Sequence, residues 1–165
     1  MKTLLRWGRF AARGVAAVEF AITLPILLLF MGGVTDFGII YYRQAGLSAA
    51  VAAGAQYANL TDQLSPPVTA ANIQTVMTAA AAQSLGSNIT VTSTASNPAT
   101  CYCITGSSPS STVTSTTCGS TCTSGGTAGK YVQLTLSTNY APMFPLLSQI
   151  TGTQTLSRTA WVPLQ

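Results

Sequence analysis

The chain lacks histidine altogether, and it is almost as poor in acidic residues. Among its 165 residues the only carboxylate side chains are those of Glu19, Asp36 and Asp62, so none follows residue 62. General acid–base catalysis, catalytic triads and the common metal sites depend on these residue types. We therefore predict that the chain is not an enzyme and that it holds no metal and no cofactor.

Charge of both signs is scarce, at 6% of the residues, and the excess of positive charge lies in one place. The net charge of +4 is that of residues 1–14, because the three cations and three acids that follow balance one another. A nucleic-acid-binding protein needs a basic patch on its folded surface, so we predict no nucleic-acid partner. The early cations are Lys2, Arg6, Arg9 and Arg13, and the later ones are Arg43, Lys130 and Arg158.

A long apolar run follows this basic cluster directly. Residues 15–34 would form about 30 Å of α-helix, which matches the thickness of a bilayer core. Because the cations precede the run and only Arg43 follows it closely, the positive-inside rule places the N-terminus in the cytoplasm and the later residues across the membrane. A cleaved secretory signal is the less favoured alternative, since the run is long and the Ala-rich triplets at 49–55 lie well past it.

The residues around position 14 resemble the processing site of type IV pilin-like proteins. A short basic leader ends at Gly14, and Glu19 stands at the fifth position after it, followed by Phe20. The wider pattern resembles the TadE-like family, the minor pilins or pseudopilins of the tight-adherence (Tad/Flp) pilus system. Its further motifs are Leu-Pro-Ile-Leu-Leu-Leu at 24–29, Asp-Phe-Gly at 36–38, Tyr-Tyr-Arg-Gln at 41–44 and Ala-Gly-Ala-Gln-Tyr-Ala at 53–58.

The resemblance implies that a membrane-embedded prepilin peptidase cuts between Gly14 and Val15 in the bacterial inner membrane. It also implies that Glu19, with Phe20 beside it, acts in assembly by pairing with the N-terminal amine of a neighbouring subunit. A charge in hydrocarbon costs on the order of 2.5–3.5 kcal/mol, and a partner cation would offset that cost. The alternative is an uncut anchor in which the Glu19 side chain reaches the membrane interface.

The partners implied by the resemblance are the prepilin peptidase, other pseudopilins, the major pilin and the inner-membrane assembly platform. The role implied is structural, in pilus biogenesis, and the filament, its tip and the membrane are all compatible destinations. A function of a different class is an unprocessed, membrane-anchored module whose periplasmic or extracellular domain binds an envelope or surface ligand.

The predicted fold is α+β and pilin-like, with three parts. Residues 1–14 form the basic cytoplasmic leader, and residues 15–58 form a transmembrane helix that continues outside the membrane. Residues 59–165 form an exported α+β domain that begins with a turn around Pro66 and Pro67. We expect Asp36 at the outer membrane interface, beside an aromatic belt of Tyr41 and Tyr42.

Small residues recur every fourth position in the second half of the long helix, at Gly46, Ala50, Gly54 and Ala58. Such spacing lets two helices approach closely. The stripe predicts packing against pilus or membrane partners, or else against the chain's own exported domain.

A second helix is predicted at 69–85, because apolar residues recur there at helical spacing and Gly86 follows. Strands are predicted at 89–94, 130–140 and 153–162, where apolar and polar residues alternate. The prolines of segment 141–145 exclude a tight hairpin between the last two strands. The predicted inward-facing residues are Ile73, Val76, Met77, Ala80 and Leu85 of the helix and Val132, Leu134, Leu136, Leu156, Ala160 and Val162 of the strands.

The four cysteines lie in a loop at 98–129 that is rich in Ser, Thr and Gly. An even number in an oxidising compartment favours two disulfides, for which three pairings exist. We favour Cys101 and Cys103 each bonding to Cys118 or Cys122, because a bridge within Cys101-x-Cys103 would be strained. The one-residue spacing disfavours a zinc site. The loop is expected to lack a core of its own, so the crosslinks limit its disorder.

Overall fold

A computed structural model of the chain describes the backbone of residues 4–61, 67–106, 112–144, 148–149 and 151–164. Side chains are described for residues 15–60 and within the later ranges. The chain forms two compact units, Met1–Ile39 with Ala141–Gly152, and Ile40–Tyr140 with Thr153–Gln165. The predicted boundaries are different ones: residue 14 is the expected cleavage site, and residue 58 is the expected end of the long helix. Both boundaries stay predictions.

Helix α1 is one continuous α-helix, Leu4–Thr61, in a sequence dominated by Ala and Leu. It starts within the leader and runs past the predicted end at residue 58. Pro25 lies inside it without ending it. The predicted turn around Pro66 lies outside the described residues.

Helix α2 is Ala70–Leu85, which agrees with the predicted 69–85. The Thr69 hydroxyl caps it by accepting a hydrogen bond from the Asn72 N–H at 3.3 Å. At the other end Gly86 adopts φ +93°, a conformation that side-chain-bearing residues rarely take. The Gly86 N–H still makes the helical hydrogen bond to the Ala82 carbonyl, at 3.1 Å, and the helix ends there because the Gly86 backbone leaves the helical conformation.

The buried face of α2 corrects part of the predicted stripe. Val76 and Ala80 are only half-buried, and Ala81 is buried in their place. The buried residues recur at every fourth position and therefore form a narrow stripe along the helix, whereas the predicted stripe was wider. The buried residues are Ile73, Met77, Ala81 and Leu85.

The sheet has five antiparallel strands built around its longest one, where three strands were predicted. Strand β4 pairs with β5 over residues 131–140 and separately with β1 and β2, and β2 pairs with β3 on its other side. The strands are β1 (Val91–Ala95), β2 (Cys101–Thr105), β3 (Thr112–Thr116), β4 (Gly129–Tyr140) and β5 (Gln154–Pro163).

Strand β4 carries the centre of the core. Val132, Leu134 and Leu136 are fully buried, as predicted, and the same alternation continues through Thr138 to Tyr140. From β5, Leu156 and Val162 are buried, but Ala160 is only half-buried. Alternate burial along β4 follows from the two-residue period of a strand.

Strand β1 begins at Val91, two residues later than predicted. The reason is local, because the Ile89 N–H bonds to the Gly86 carbonyl at 3.3 Å and closes a turn after α2. The connection between β4 and β5 is long, as the prolines required.

Candidate functional site

The bond between Gly14 and Val15 lies inside the helical backbone of α1. The basic leader side chains, including Arg6, Arg9 and Arg13, lie outside the described residues. Glycine is about 1 kcal/mol less favourable than alanine in a helix interior, so the helix is locally weak at Gly14. A peptidase that needs an extended substrate would meet less resistance there.

The side chains that follow this bond are exposed. Glu19 is exposed, and Val15, Val18 and Phe20 expose more than 60% of their surface. The Thr23 hydroxyl donates to the Glu19 carbonyl at 3.0 Å, within the helix backbone. The structure therefore leaves the Glu19 carboxylate accessible to another molecule.

The helix continues into an exposed apolar surface. It contains a stretch within Val15–Leu60 with a mean hydropathy of 2.2, long and apolar enough to cross a membrane. Phe30 and Val34 are each 72% exposed, as is usual for side chains that face lipid and not a protein core.

A notch interrupts this apolar surface at Gly33. A Cβ added at Gly33 would meet no atom within 4 Å. The walls of the notch come from neighbouring turns of the same helix, and a second helix could approach closely there. These walls are Leu29, Phe30, Val34 and Phe37.

One turn of this helix is covered by the connection between β4 and β5, which the sequence did not indicate. A Cβ on Gly32 would come within 2.8 Å of the Phe144 ring. Asp36, one turn further along, is only 5% exposed, and its Oδ1 accepts a hydrogen bond from the Met143 N–H at 3.0 Å. The expected position of Asp36 at the outer membrane interface stays a prediction, and the structure adds that the connection buries its side chain.

The four-residue stripe of small side chains lies against α2. A Cβ on Gly46 would collide with Leu85, and one on Gly54 would collide with Met77. Ala50 and Ala58 are fully buried. Of the two predicted uses of the stripe, the structure shows packing within the chain.

Polar contacts fasten the same part of α1 to the sheet and to α2. The Tyr42 hydroxyl donates to the Ser84 carbonyl at 2.9 Å, so this predicted belt tyrosine also holds α2. The Arg43 guanidinium lies 4.8 Å from the Tyr140 ring centroid and donates to the Asn139 carbonyl. These contacts make residues 42–58 of α1 a part of the core of the α+β domain.

The two disulfides are Cys101–Cys118 and Cys103–Cys122, so the predicted type of pairing is confirmed. They join β2 to the segment after β3, with Cα atoms 5.1 and 5.6 Å apart. The loop was predicted to lack a core, and this was wrong. The bridges create a small buried cluster of Cys101, Cys103, Cys122 and Ala128.

Within the described residues, no group of three His, Cys, Asp or Glu side chains is placed to hold a metal ion. The features that stand out are structural ones: an accessible glutamate on a long apolar helix, and a disulfide-bonded α+β domain.

These features define an α+β protein with a long apolar N-terminal helix and two disulfides. Residues 14–56 match the family described as TadE-like protein, which confirms the resemblance over that segment. The match associates this segment of the chain, and not the domain that follows it, with the tight-adherence pilus system. No curated protein and no solved structure matches the chain significantly.

Proposed function

We propose that this chain is a minor pseudopilin that acts structurally, and not as an enzyme, in the biogenesis of a tight-adherence pilus. It spans the inner membrane once through residues 15–34, with its N-terminus in the cytoplasm and its disulfide-bonded domain in the periplasm or beyond. The observation that carries the proposal is the match of residues 14–56 together with an exposed Glu19 in an otherwise uncharged helical run.

Processing after Gly14 changes the chemistry of this run. It removes all four leader cations and creates a free amine at Val15. In hydrocarbon, the Glu19 carboxylate gains most from an opposite charge within a few Å. The amine of a neighbouring subunit supplies it, so that Glu19 pairs subunits in register while Phe20 contributes apolar contact.

We assign lateral packing in the membrane to the first half of α1. Residues 46–58 are occupied by α2, whereas the Gly33 notch and its apolar walls are exposed. Close helix–helix approach in membranes favours small residues at the contact. We assign this face to the helices of related pseudopilins and the major pilin, with the prepilin peptidase and the inner-membrane platform as earlier partners.

A second candidate function is an unprocessed, membrane-anchored binding module. It is favoured by a polar cleft where the ends of β1 and β4 meet, a place suited to a small polar ligand. The lining residues are Asn88, Ile89, Thr90, Thr92, Ser137, Thr138 and Asn139.

Intact-mass spectrometry of the membrane-extracted protein tests the proposal. A mature chain that starts at Val15 is expected, and Gly14→Leu should leave the leader in place because the larger side chain blocks access to the bond. Gly8→Leu is the matched control, since it adds the same side chain elsewhere in the leader. A chain that keeps Met1 and still supports full piliation would refute processing.

A further inference from the structure

The connection between β4 and β5 exposes apolar side chains. Met143 is 70% exposed and Phe144 is 37% exposed. Among the residues whose side chains are described, these two are the only exposed large hydrophobic side chains outside α1. From residue 131 to residue 157 the sequence contains no charged residue, so no charged side chain in this segment opposes transfer out of water.

The connection lies against the end of the apolar run of α1. The Phe144 ring packs over Gly32, and the Met143 N–H bonds to Asp36, one turn apart on the same helix face. Gly32 is two residues before the end of the uncharged run at Val34, a rise of about 3 Å. If that run spans the hydrocarbon, Phe144 lies at its outer boundary.

The backbone of the connection is also suited to that depth. Backbone near hydrocarbon must have its polar groups satisfied by protein, and residues 148–149 and 151 of the connection are helical. The Asp36 carboxylate accepts from Met143, the Ser148 N–H donates to the Phe144 carbonyl at 3.0 Å, and the Gly152 N–H donates to the Ser148 carbonyl at 3.0 Å. These hydrogen bonds satisfy the N–H groups of Met143, Ser148 and Gly152 within the protein, while the Met143 side chain is exposed.

We propose that this β4–β5 connection is a second membrane contact, which inserts Met143 and Phe144 into the outer leaflet of the same bilayer that α1 crosses. A bilayer is the occupant because Phe144, packed over Gly32, lies between the levels of Phe30 and Val34 along α1. Lipid surrounds a spanning helix on all sides, so it reaches this face at the same depth as the face of Phe30 and Val34. The inference rests on the proposed membrane span, and the experiment separates the two.

The test uses the full chain in liposomes of phosphatidylethanolamine and phosphatidylglycerol. A nitroxide label is attached to Met143→Cys without reduction, so that both disulfides stay intact. Its accessibility to oxygen, which concentrates in lipid, is compared with its accessibility to a water-soluble nickel chelate. Phe30→Cys gives the lipid reference, and the exposed strand position Thr92→Cys gives the aqueous reference. All three positions are exposed, so the substitutions spare the core.

The ratio of oxygen to nickel accessibility at Met143 is expected to shift from the Thr92 value toward the Phe30 value. A ratio equal to that of Thr92, with Phe30 in lipid, overturns the second contact and leaves the anchor standing. Shielding of Met143 from both reagents overturns it in favour of a protein occupant, either a second copy or a partner. If Phe30 itself is aqueous, the proposed membrane span fails as well.

Discussion

The Phe144 ring occupies the space where a side chain on Gly32 would lie, 2.8 Å from the position of a Cβ. The adjacent glycine, Gly33, has nothing within 4 Å of the same position. Two neighbouring glycines therefore serve different purposes. Gly32 admits the β4–β5 connection, and Gly33 leaves the outer face of α1 open to a partner.

This difference predicts opposite effects of one substitution at two neighbouring positions. Gly32→Leu should displace the connection, since overpacking costs about 1–3 kcal/mol. The Met143 amide should then exchange its hydrogen faster by roughly one to two orders of magnitude, because each 1.4 kcal/mol is tenfold. Gly33→Leu is the control and should leave that exchange unchanged. Equal exchange rates in the two variants would contradict the docking of Phe144 on Gly32.

A second prediction concerns the contact between α1 and α2. Gly54→Leu should lower the free energy of unfolding by about 1–3 kcal/mol, because the new side chain must displace Met77 from the core. Gly38→Leu, on the same helix with open space around it, should be neutral or stabilising by up to about 1 kcal/mol through helix propensity.

Urea unfolding of the full chain in detergent, followed by far-UV circular dichroism, measures both variants. Similar midpoints for the two would show that the stripe of small residues does not hold α2.

The third prediction concerns the disulfides. Replacing Cys103 and Cys122 together by alanine should destabilise the β2–β3 region by about 2–4 kcal/mol. Strands β4 and β5 should keep their slow hydrogen exchange, because their paired residues 131–140 and 154–163 lie outside the crosslinked segment. Strand β2 is paired in register with β4 at only two positions, so loss of the former leaves the pairing of β4 with β5 in place.

Hydrogen exchange resolved by mass spectrometry checks this local effect. The double variant that removes Cys101–Cys118 is the comparison, and it should affect the same strands. Exchange that rises equally in β4 and β5 would show that the two disulfides support the whole sheet.

The fourth prediction concerns Glu19. Glu19→Gln keeps the shape and hydrogen-bonding groups of the side chain but removes its charge, so the protein should still insert, be cut and accumulate normally. Piliation should fall to the level of a strain that lacks the protein, because the pairing with a neighbour's amine is lost.

Electron microscopy of the cells and quantitative immunoblotting of the membrane fraction give these two quantities. Asp36→Asn is the matched control, since Asp36 is engaged within the chain and a neutral side chain can still accept from Met143. Normal piliation in Glu19→Gln cells would rule out the assembly role of the charge.

Periodicity was the strongest guide to the fold. The alternation along Val132, Leu134 and Leu136 located β4, and apolar spacing with Thr69 and Gly86 at its ends located α2. Strand β2, Cys101–Thr105, was missed because its residues were assigned to the cysteine loop. Strand β3 was missed because it is Thr112–Thr116, in which only Val113 is apolar. Such a strand has no hydrophobic alternation to detect, and it is held by pairing with β2 and by the nearby disulfides.

The candidate site likewise combines local features, which the sequence predicts, with long-range contacts, which depend on the fold. The leader, Glu19 and the uncharged run are local features, since chain charge and hydropathy specify them without any distant contact. The sequence also located the stripe from Gly46 to Ala58, but not its partner. Small residues at this spacing predict that another helix packs closely against the stripe. Only the fold shows that this helix is α2, which places Leu85 and Met77 against the stripe.

By itself, then, the sequence determined a basic leader, an apolar helix with one acidic residue, a second helix, the main strands and two disulfides between two pairs of cysteines. The tertiary structure alone decided that Cys101 pairs with Cys118, that Asp36 is buried and that Phe144 packs on Gly32. The physical reason is sequence distance. Asp36 and Met143 are 107 residues apart, and no local propensity specifies a contact that depends on how the intervening chain folds.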